Sequence, residues 1–118
     1  MEPLIYTLVR EADWRAAQAA GSYTGSADDR RDGFLHFSTT AQLRASAVKH
    51  RAGVADLWMI EADAAALGGV LKWESAAGGS RAGLFPHLYA PLPRAAVRRA
   101  LRLPLGADGN HDFPADIP

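Results

Sequence analysis

The apolar residues of this chain come in short runs separated by polar and glycine-rich segments, and this pattern limits the folds that the chain can adopt. None of the runs approaches the roughly 18 residues of a membrane-spanning helix. Segments of strand length lie at 4–9, 34–37, 57–60, 70–74 and 97–103, and helical patterns lie at 11–20 and 40–51. Because the strands do not alternate regularly with long helices, the sequence predicts an α+β fold rather than a doubly wound parallel sheet.

Length and composition narrow the class of protein further. The 118 residues suit a single domain over 1–118, with an irregular, turn-rich tail at 106–118. The absence of cysteine excludes disulfides, thiolate metal sites and cysteine nucleophiles. The balance of 13 basic and 13 acidic side chains argues against a domain that holds nucleic acid mainly by neutralising its phosphates. The first residues lack the pattern of a signal peptide, so we expect a cytoplasmic protein with no membrane partner.

Three connecting segments have distinct compositions. Residues 21–33 are polar and glycine-punctuated, which predicts a surface loop long enough to carry function. Residues 75–83 are rich in glycine and alanine and predict a flexible loop. Three prolines interrupt residues 85–93, which predicts an extended segment at a sheet edge or in a loop, because each proline removes a ladder donor.

The helix at 40–51 begins with a recognisable signal. Thr39 followed three residues later by Gln42 forms a capping-box pattern. Ala41, Ala45 and Val48 lie on one side of this helix, and we expect them to face the core.

His36 stands in an apolar strand directly before this helix, and Ser38 and Thr39 lie between the two. The unpaired N–H groups of a helix N-terminus suit a phosphate, and a neighbouring histidine that titrates near neutrality could bind the same ligand. Two plainer interpretations remain open. His36 could be a core histidine bonded to a carbonyl, and Ser38 and Thr39 could serve only as caps.

Glu74, His87 and Tyr89 are the other candidates for chemistry. Glu74 ends a strand beside the glycine-rich loop, a position typical of a catalytic or ribose-orienting carboxylate, although a surface glutamate is the alternative. His87 and Tyr89 lie two residues apart and could present an imidazole and a phenol to a planar ligand, or could simply form an amphipathic edge.

Two further groups of side chains have weaker signals. The histidines together with Glu74 could supply metal ligands, but no pair has the spacing of a zinc motif, and we expect no metal. The basic concentration at the last strand could contact RNA or a nucleotide phosphate, or could be a solvated strand face. It consists of Arg94, Arg98, Arg99 and Arg102.

The candidate residues fall within segments that resemble a known family. The chain resembles, over almost its whole length, the small bacterial family catalogued as domain of unknown function 952. The residues that carry the resemblance lie at 5–6, 14, 32–39, 73–74 and 85–92, and the segments at 32–39 and 85–92 are specific when they occur together in this order.

This resemblance implies a fold and a ligand. The family is grouped with the ADP-ribosyltransferase-like fold, a split, antiparallel-rich α+β sheet with short helices and a cleft that holds NAD. Tyr6 and Thr7 resemble a Tyr-His strand of relatives that include RNA 2′-phosphotransferases, with Thr7 where those relatives often carry His. His36 and Ser38 resemble their His-x-hydrophobic-Ser strand, and Glu74 is a single carboxylate where many active transferases carry a pair.

The resemblance and the residues together lead to two principal hypotheses. In the first, the protein is a transferase that uses NAD or transfers a phosphate to an unknown RNA or protein acceptor. Glu74 and His87 would be catalytic, and the residues that would bind the nucleotide are Tyr6, Thr7, His36, Ser38, Thr39 and Tyr89. In the second, the same fold is a non-catalytic module that binds a nucleotide or an RNA end. A histidine-based metal hydrolase is a third, less favoured alternative.

Overall fold

The computed structural model describes residues 3–76 and 83–118, which form three α-helices, eight β-strands and two short 3₁₀ segments. The helices are α1 (Glu11–Ala20), α2 (Ala27–Asp32) and α3 (Thr40–His50). The strands are β1 (Leu4–Arg10), β2 (Ser22–Tyr23), β3 (Leu35–His36), β4 (Leu57–Asp63), β5 (Leu71–Ser75), β6 (Leu84–Leu88), β7 (Leu92–Pro93) and β8 (Val97–Arg102). The 3₁₀ segments are Ala64–Val70 and Arg94–Ala96. None of the described helices is long and apolar enough to cross a membrane.

The strands form antiparallel sheets, so the chain is an α+β protein as predicted. One sheet has the order β1-β4-β8, a second has the order β3-β6-β5, and β2 pairs with β7. Tyr6 and Ser38 connect the two larger sheets by exchanging backbone hydrogen bonds of 2.9 and 2.7 Å. This bridge fixes β1 beside the end of β3, where several candidate residues lie.

The core lies on both faces of the β1-β4-β8 sheet. On one face, Ile60 of β4 packs in a cluster with Trp14 of α1. On the other face, Met59 packs in a cluster with Leu43 of α3 and Ile117 of the tail. The continuous apolar run at 57–60 predicted this burial on both faces.

Helix α1 matches the predicted segment, and α3 begins as predicted but buries a different side. The Thr39 hydroxyl accepts a hydrogen bond from the Gln42 backbone N–H, and the Gln42 side-chain oxygen accepts one from the Thr39 backbone N–H, which confirms the capping box. The prediction that Ala41, Ala45 and Val48 face the core is wrong. Val48 is 59% exposed, and Leu43, the one bulky residue near the middle of the helix, points inward instead.

The prediction of a plain loop at 21–33 is also wrong. This segment contains β2 and α2, and α2 begins with a second capping box in which Ser26 and Asp29 exchange hydrogen bonds. The pattern is easy to miss because aspartate, rather than glutamate or glutamine, occupies the third helical position. The other predicted loop, at 75–83, lies mostly outside the described residues.

Strand β6 is the centre of its sheet, whereas the prolines predicted an edge or a loop. The direction of the Pro86 carbonyl shows why a proline is tolerated there. This carbonyl accepts a hydrogen bond from the backbone N–H of Phe37, the residue after the two-residue strand β3. In an antiparallel strand the N–H and C=O of one residue face the same neighbour. The N–H group that Pro86 lacks would therefore face Phe37, beyond the last paired residue of β3.

The segment after β8 contains no helix or strand, and it still packs against the domain. Ile117 is buried, and the Arg44 guanidinium donates hydrogen bonds to the carbonyls of Ile117 and Pro118. His111 is buried as well, with Nε2 placed 2.7 Å from the Val54 carbonyl.

Candidate functional site

Candidate residues from three strands share one face of the β3-β6-β5 sheet. His36 of β3 pairs in register with His87 of β6, and His87 pairs in register with Lys72 of β5. Glu74 lies on the same face as Lys72, because residues two apart along a strand point to the same side. The sheet thus brings together residues that are up to 51 positions apart in the chain.

Glu74 holds the His87 ring and the Tyr89 hydroxyl with one oxygen. Its Oε1 lies 2.9 Å from His87 Nδ1 and accepts a 2.7 Å hydrogen bond from the Tyr89 hydroxyl. These two contacts, that of Tyr89 first, lower the pKa of Glu74, and the same carboxylate raises the pKa of Tyr89. An ionised Glu74 can only accept a hydrogen bond, so it favours the His87 tautomer that carries its proton on Nδ1. In that tautomer Nε2 carries the lone pair.

His36 is held between two carboxylates of α2. Its Nδ1 lies 2.5 Å from Asp29 Oδ1, and its Nε2 lies 2.9 Å from Asp32 Oδ2. The hydrogen bond with Asp29 is the main cause of a raised His36 pKa. Burial opposes ionisation of Asp29, but its hydrogen bonds with His36 and Ser26 outweigh burial and lower its pKa. An imidazolium that donates from both nitrogens satisfies both carboxylates, so the geometry and the raised pKa both favour the charged form of His36, which clamps α2.

Phe34 covers the two histidines. Its ring stacks on His87 with a centroid distance of 4.0 Å and an interplanar angle of 24°. The same ring lies 4.6 Å from His36 and 5.2 Å from Tyr89. The two imidazoles meet edge to face beneath it, with centroids 5.8 Å apart.

A cavity of about 240 Å³ adjoins this cluster and extends to α3. Its lining carries both charges, with Asp28, Asp29, Arg31 and Asp32 from α2 and Lys49 and Arg51 from the end of α3. The remaining lining includes Tyr6, Thr7, Leu8, Phe34, His36, Phe37, Ser38, Ser46, His50, Ala76, Phe85 and His87. The cavity can therefore meet an aromatic ring near Phe34 and anionic groups near the end of α3.

Three of the predicted binding residues line the cavity through buried side chains that already have partners. The Tyr6 hydroxyl donates to Glu61 Oε2 at 3.0 Å, and burial is the main cause of its raised pKa. The Thr7 hydroxyl donates to the His36 carbonyl at 2.9 Å. Ser38 Oγ lies 2.7 Å from Ser46 Oγ. These contacts show how the cavity wall is held together, and a ligand would have to share or exchange them.

Three of the predicted residues, Thr39, Glu74 and Tyr89, do not line the cavity. Glu74 contacts the cavity wall through His87. Thr39 caps α3, and the α3 residues that line the cavity are Ser46, Lys49 and His50 of its later turns. The predicted phosphate site at the helix N-terminus therefore adjoins the cavity only through Ser38, and phosphate binding there stays a prediction. Tyr89 is 42% exposed and reaches the site only through Glu74 and Phe34.

Most of the arginines within residues 94–102 contact carboxylates, and the histidines considered as metal ligands contact other protein groups. Within residues 94–102 the guanidinium of Arg99 binds Glu61 and Asp116, and Arg98 and Arg102 lie within 3.6 Å of carboxylates. These pairs favour the solvated strand face over an RNA contact. Among the described residues no group of three or more His, Asp or Glu is arranged to hold a metal ion.

Sequence reasoning missed the residues that shape the centre of the site. Asp29 lies in the segment predicted as loop, and only its place three residues after Ser26 indicates a buried, structured role. Asp32 is the fourth residue before His36, but that spacing predicts contact only inside a helix, and here a turn at Gly33 (φ 88°) supplies it. Phe34 is indistinguishable from a core residue until the sheet register is known.

The fold and the cleft define an α+β protein of antiparallel sheets with three histidine–carboxylate contacts beside a small cavity. A family profile described as "Protein of unknown function (DUF952)" matches residues 8–100, and the chain belongs to this family. The crystal structure of protein CC0527 from Caulobacter crescentus is similar at 43% identity, covering 92% of this chain and 93% of that chain, with a TM-score of 0.85. The solution NMR structure of CC0527 is similar at 44% identity, covering 92% and 90%, with a TM-score of 0.80. The chain has no significant match among curated proteins.

Proposed function

We propose that the cavity binds a nucleotide and that His87, held by Glu74, transfers a proton in a group-transfer reaction on that nucleotide. The observation that carries the proposal is the 2.9 Å contact between His87 Nδ1 and Glu74 Oε1, beside a cavity that is lined by His87 and by cationic side chains. A carboxylate that orients an imidazole is the usual way in which a protein prepares a general base or acid.

The cavity lining supports a ligand that has both a ring and phosphates. Phe34, Phe85 and His87 provide ring surfaces in the lining, and Lys49 and Arg51 provide positive charge. The volume of about 240 Å³ lies below the roughly 300–1,000 Å³ of pockets that enclose drug-sized ligands. We therefore propose that the cavity encloses one half of a dinucleotide, or a mononucleotide, while the remainder lies on the surface.

NAD is the nucleotide to test first, because the resemblance to the ADP-ribosyltransferase-like fold implies it. When bound, NAD supplies an ADP-ribosyl group that an acceptor can receive and nicotinamide as the leaving group. In this chain the ring surfaces of the lining would receive the planar ring, and Arg51 and Lys49 would hold the phosphates. Glu74 would act through His87, because its carboxylate is turned toward His87 and Tyr89.

The non-catalytic binding module is the second candidate, and one observation favours it. Both ring nitrogens of His36 are engaged by carboxylates. A cleft in which that histidine is committed to holding α2 retains binding groups but has fewer groups available for chemistry.

Calorimetry with NAD combined with an assay for released nicotinamide distinguishes these candidates. For the transferase we expect binding by the wild type, slow nicotinamide release with water as acceptor, and loss of release with retained binding in Glu74→Gln and His87→Gln. Glu61→Gln is the matched control, because Glu61 also accepts from a tyrosine hydroxyl but holds Tyr6 and Arg99 rather than His87. Binding without release, unaffected by Glu74→Gln, supports the module. The absence of binding to NAD, ADP-ribose and AMP contradicts both.

A further inference from the structure

The His87 ring is covered by the protein itself. His87 is only 5% exposed, and the ring that stacks on it belongs to Phe34. A group that accepts or donates a proton must come within hydrogen-bond reach of its substrate. A ligand ring that approached the face of His87 would meet the Phe34 ring in its place.

The Phe34 ring is held by contacts that a similar ring could replace. It is half-buried and has ring partners in His36, His87 and Tyr89. Its backbone N–H donates to the Asp29 carbonyl at 3.2 Å, so the main chain at this position is anchored. Rotation about the side-chain bonds is therefore the motion that uncovers His87, and it leaves α2 and β3 in place.

We propose that Phe34 is a gating and specificity residue of the cavity, which covers His87 until a planar aromatic ring of the ligand takes its place. The inference rests on the proposed function only in taking His87 as the group that the ligand must reach. Its specificity follows from geometry, because a flat ring can restore the stack on His87 and a puckered ring of equal size cannot. Ligands with a nicotinamide or a nucleobase ring meet this requirement.

Ethoxycarbonylation of the four histidines by diethyl pyrocarbonate, followed residue by residue by mass spectrometry, tests the gate without any nucleotide. His111 is the internal control, because it is 7% exposed, much like His87, and is absent from the Phe34 ring contacts. We expect the ratio of the His87 rate to the His111 rate to rise about threefold or more in Phe34→Ala, as the loss of a stacking contact implies. In Phe34→Leu, which retains apolar bulk, the ratio should rise less. A ratio that stays constant in both variants overturns the proposal.

A matched pair of neutral carboxamides tests the selection of planar rings. In the wild type, benzamide should slow the modification of His87 relative to His111, and cyclohexanecarboxamide, whose ring is puckered, should not. Equal effects of the two compounds, or no effect of benzamide, overturn the specificity. Failure of NAD to bind or react leaves both measurements intact, so the gate and the proposed function fail separately.

Discussion

Replacing Asp29 with asparagine should be among the most damaging single changes in the cleft wall. Asp29 is buried, and its two oxygens face different donors. Oδ1 faces the backbone N–H and Nδ1 of His36, and Oδ2 faces the backbone N–H of Ser26 and the Tyr23 hydroxyl. An asparagine has a single oxygen, so its amide nitrogen must point at one pair of donors. The substitution therefore removes the negative charge. It also places the amide N–H groups of the asparagine against either the donors of His36 or those of Ser26 and Tyr23.

The expected loss follows from the environment of the pair. Breaking a fully buried ion pair costs about 3–5 kcal/mol, and hydrogen bonds to charged groups contribute about 1.5–3 kcal/mol each. The His36 side chain is 40% exposed while that of Asp29 is 6% exposed, so solvent screens one partner. We expect Asp29→Asn to lower the free energy of unfolding by about 2–3 kcal/mol. Asp28→Asn, on the same helix but at a solvated ion pair, should cost no more than about 0.5 kcal/mol.

The loss should depend on pH. The His36 pKa is raised, so its contribution to stability is complete below its ordinary value of 6.5 and declines as the pH rises through the higher folded value. The Asp29 pKa is lowered, so its contribution is complete above 3.8 and declines as the pH falls through the lower folded value. The pair therefore contributes most between about pH 4 and 6.5.

Urea denaturation followed by tryptophan fluorescence measures this contribution. The difference between the wild type and Asp29→Asn should be largest near pH 5.5 and smaller at pH 9. A difference that matches the Asp28→Asn control at pH 5.5, or one that does not change with pH, would refute the description of His36 as a charged clamp.

Two further substitutions test the packing of α3. Thr39→Ala removes the confirmed capping box and should lower the free energy of unfolding by about 1 kcal/mol in urea denaturation, without changing nucleotide binding; a neutral effect would contradict the cap. Leu43→Ala should cost about 2–5 kcal/mol because Leu43 is fully buried, whereas Val48→Ala on the exposed side should cost little. Equal losses at Leu43 and Val48 would contradict the burial of Leu43 and the exposure of Val48.

The sequence predicted well those features that depend on local periodicity and capping. Helix α1 and the cap of α3 follow from patterns confined to a few neighbouring residues, and the run at 57–60 indicated a strand buried on both faces. The buried face of α3 was predicted wrongly because it depends on which neighbours surround the helix, and small alanines give a weak amphipathic pattern. The prediction that the Pro86 segment lies at an edge or in a loop was wrong for a similar reason, since the effect of a proline depends on where the neighbouring strand ends.

The candidate site could be predicted in part. Glu74, His87 and Tyr89 were singled out by residue type and alternation, and the structure places them in direct contact. Whether they bind or react with a nucleotide stays a prediction. The stack of Phe34 on His87 required the sheet register, and the contact of Asp29 with His36 required the placement of α2, which was predicted as a loop.

The central claim is that a nucleotide enters the cavity and reaches His87. Nitrogen-15 spectra of the histidine side chains during a titration with NAD test it most directly, since they report each imidazole separately. We expect the His87 ring resonances to shift progressively to a plateau, while those of His111, which lies in the tail and contacts the Val54 carbonyl, stay unchanged. His87 resonances that remain fixed up to millimolar NAD, or shift no more than those of His111, would contradict the account.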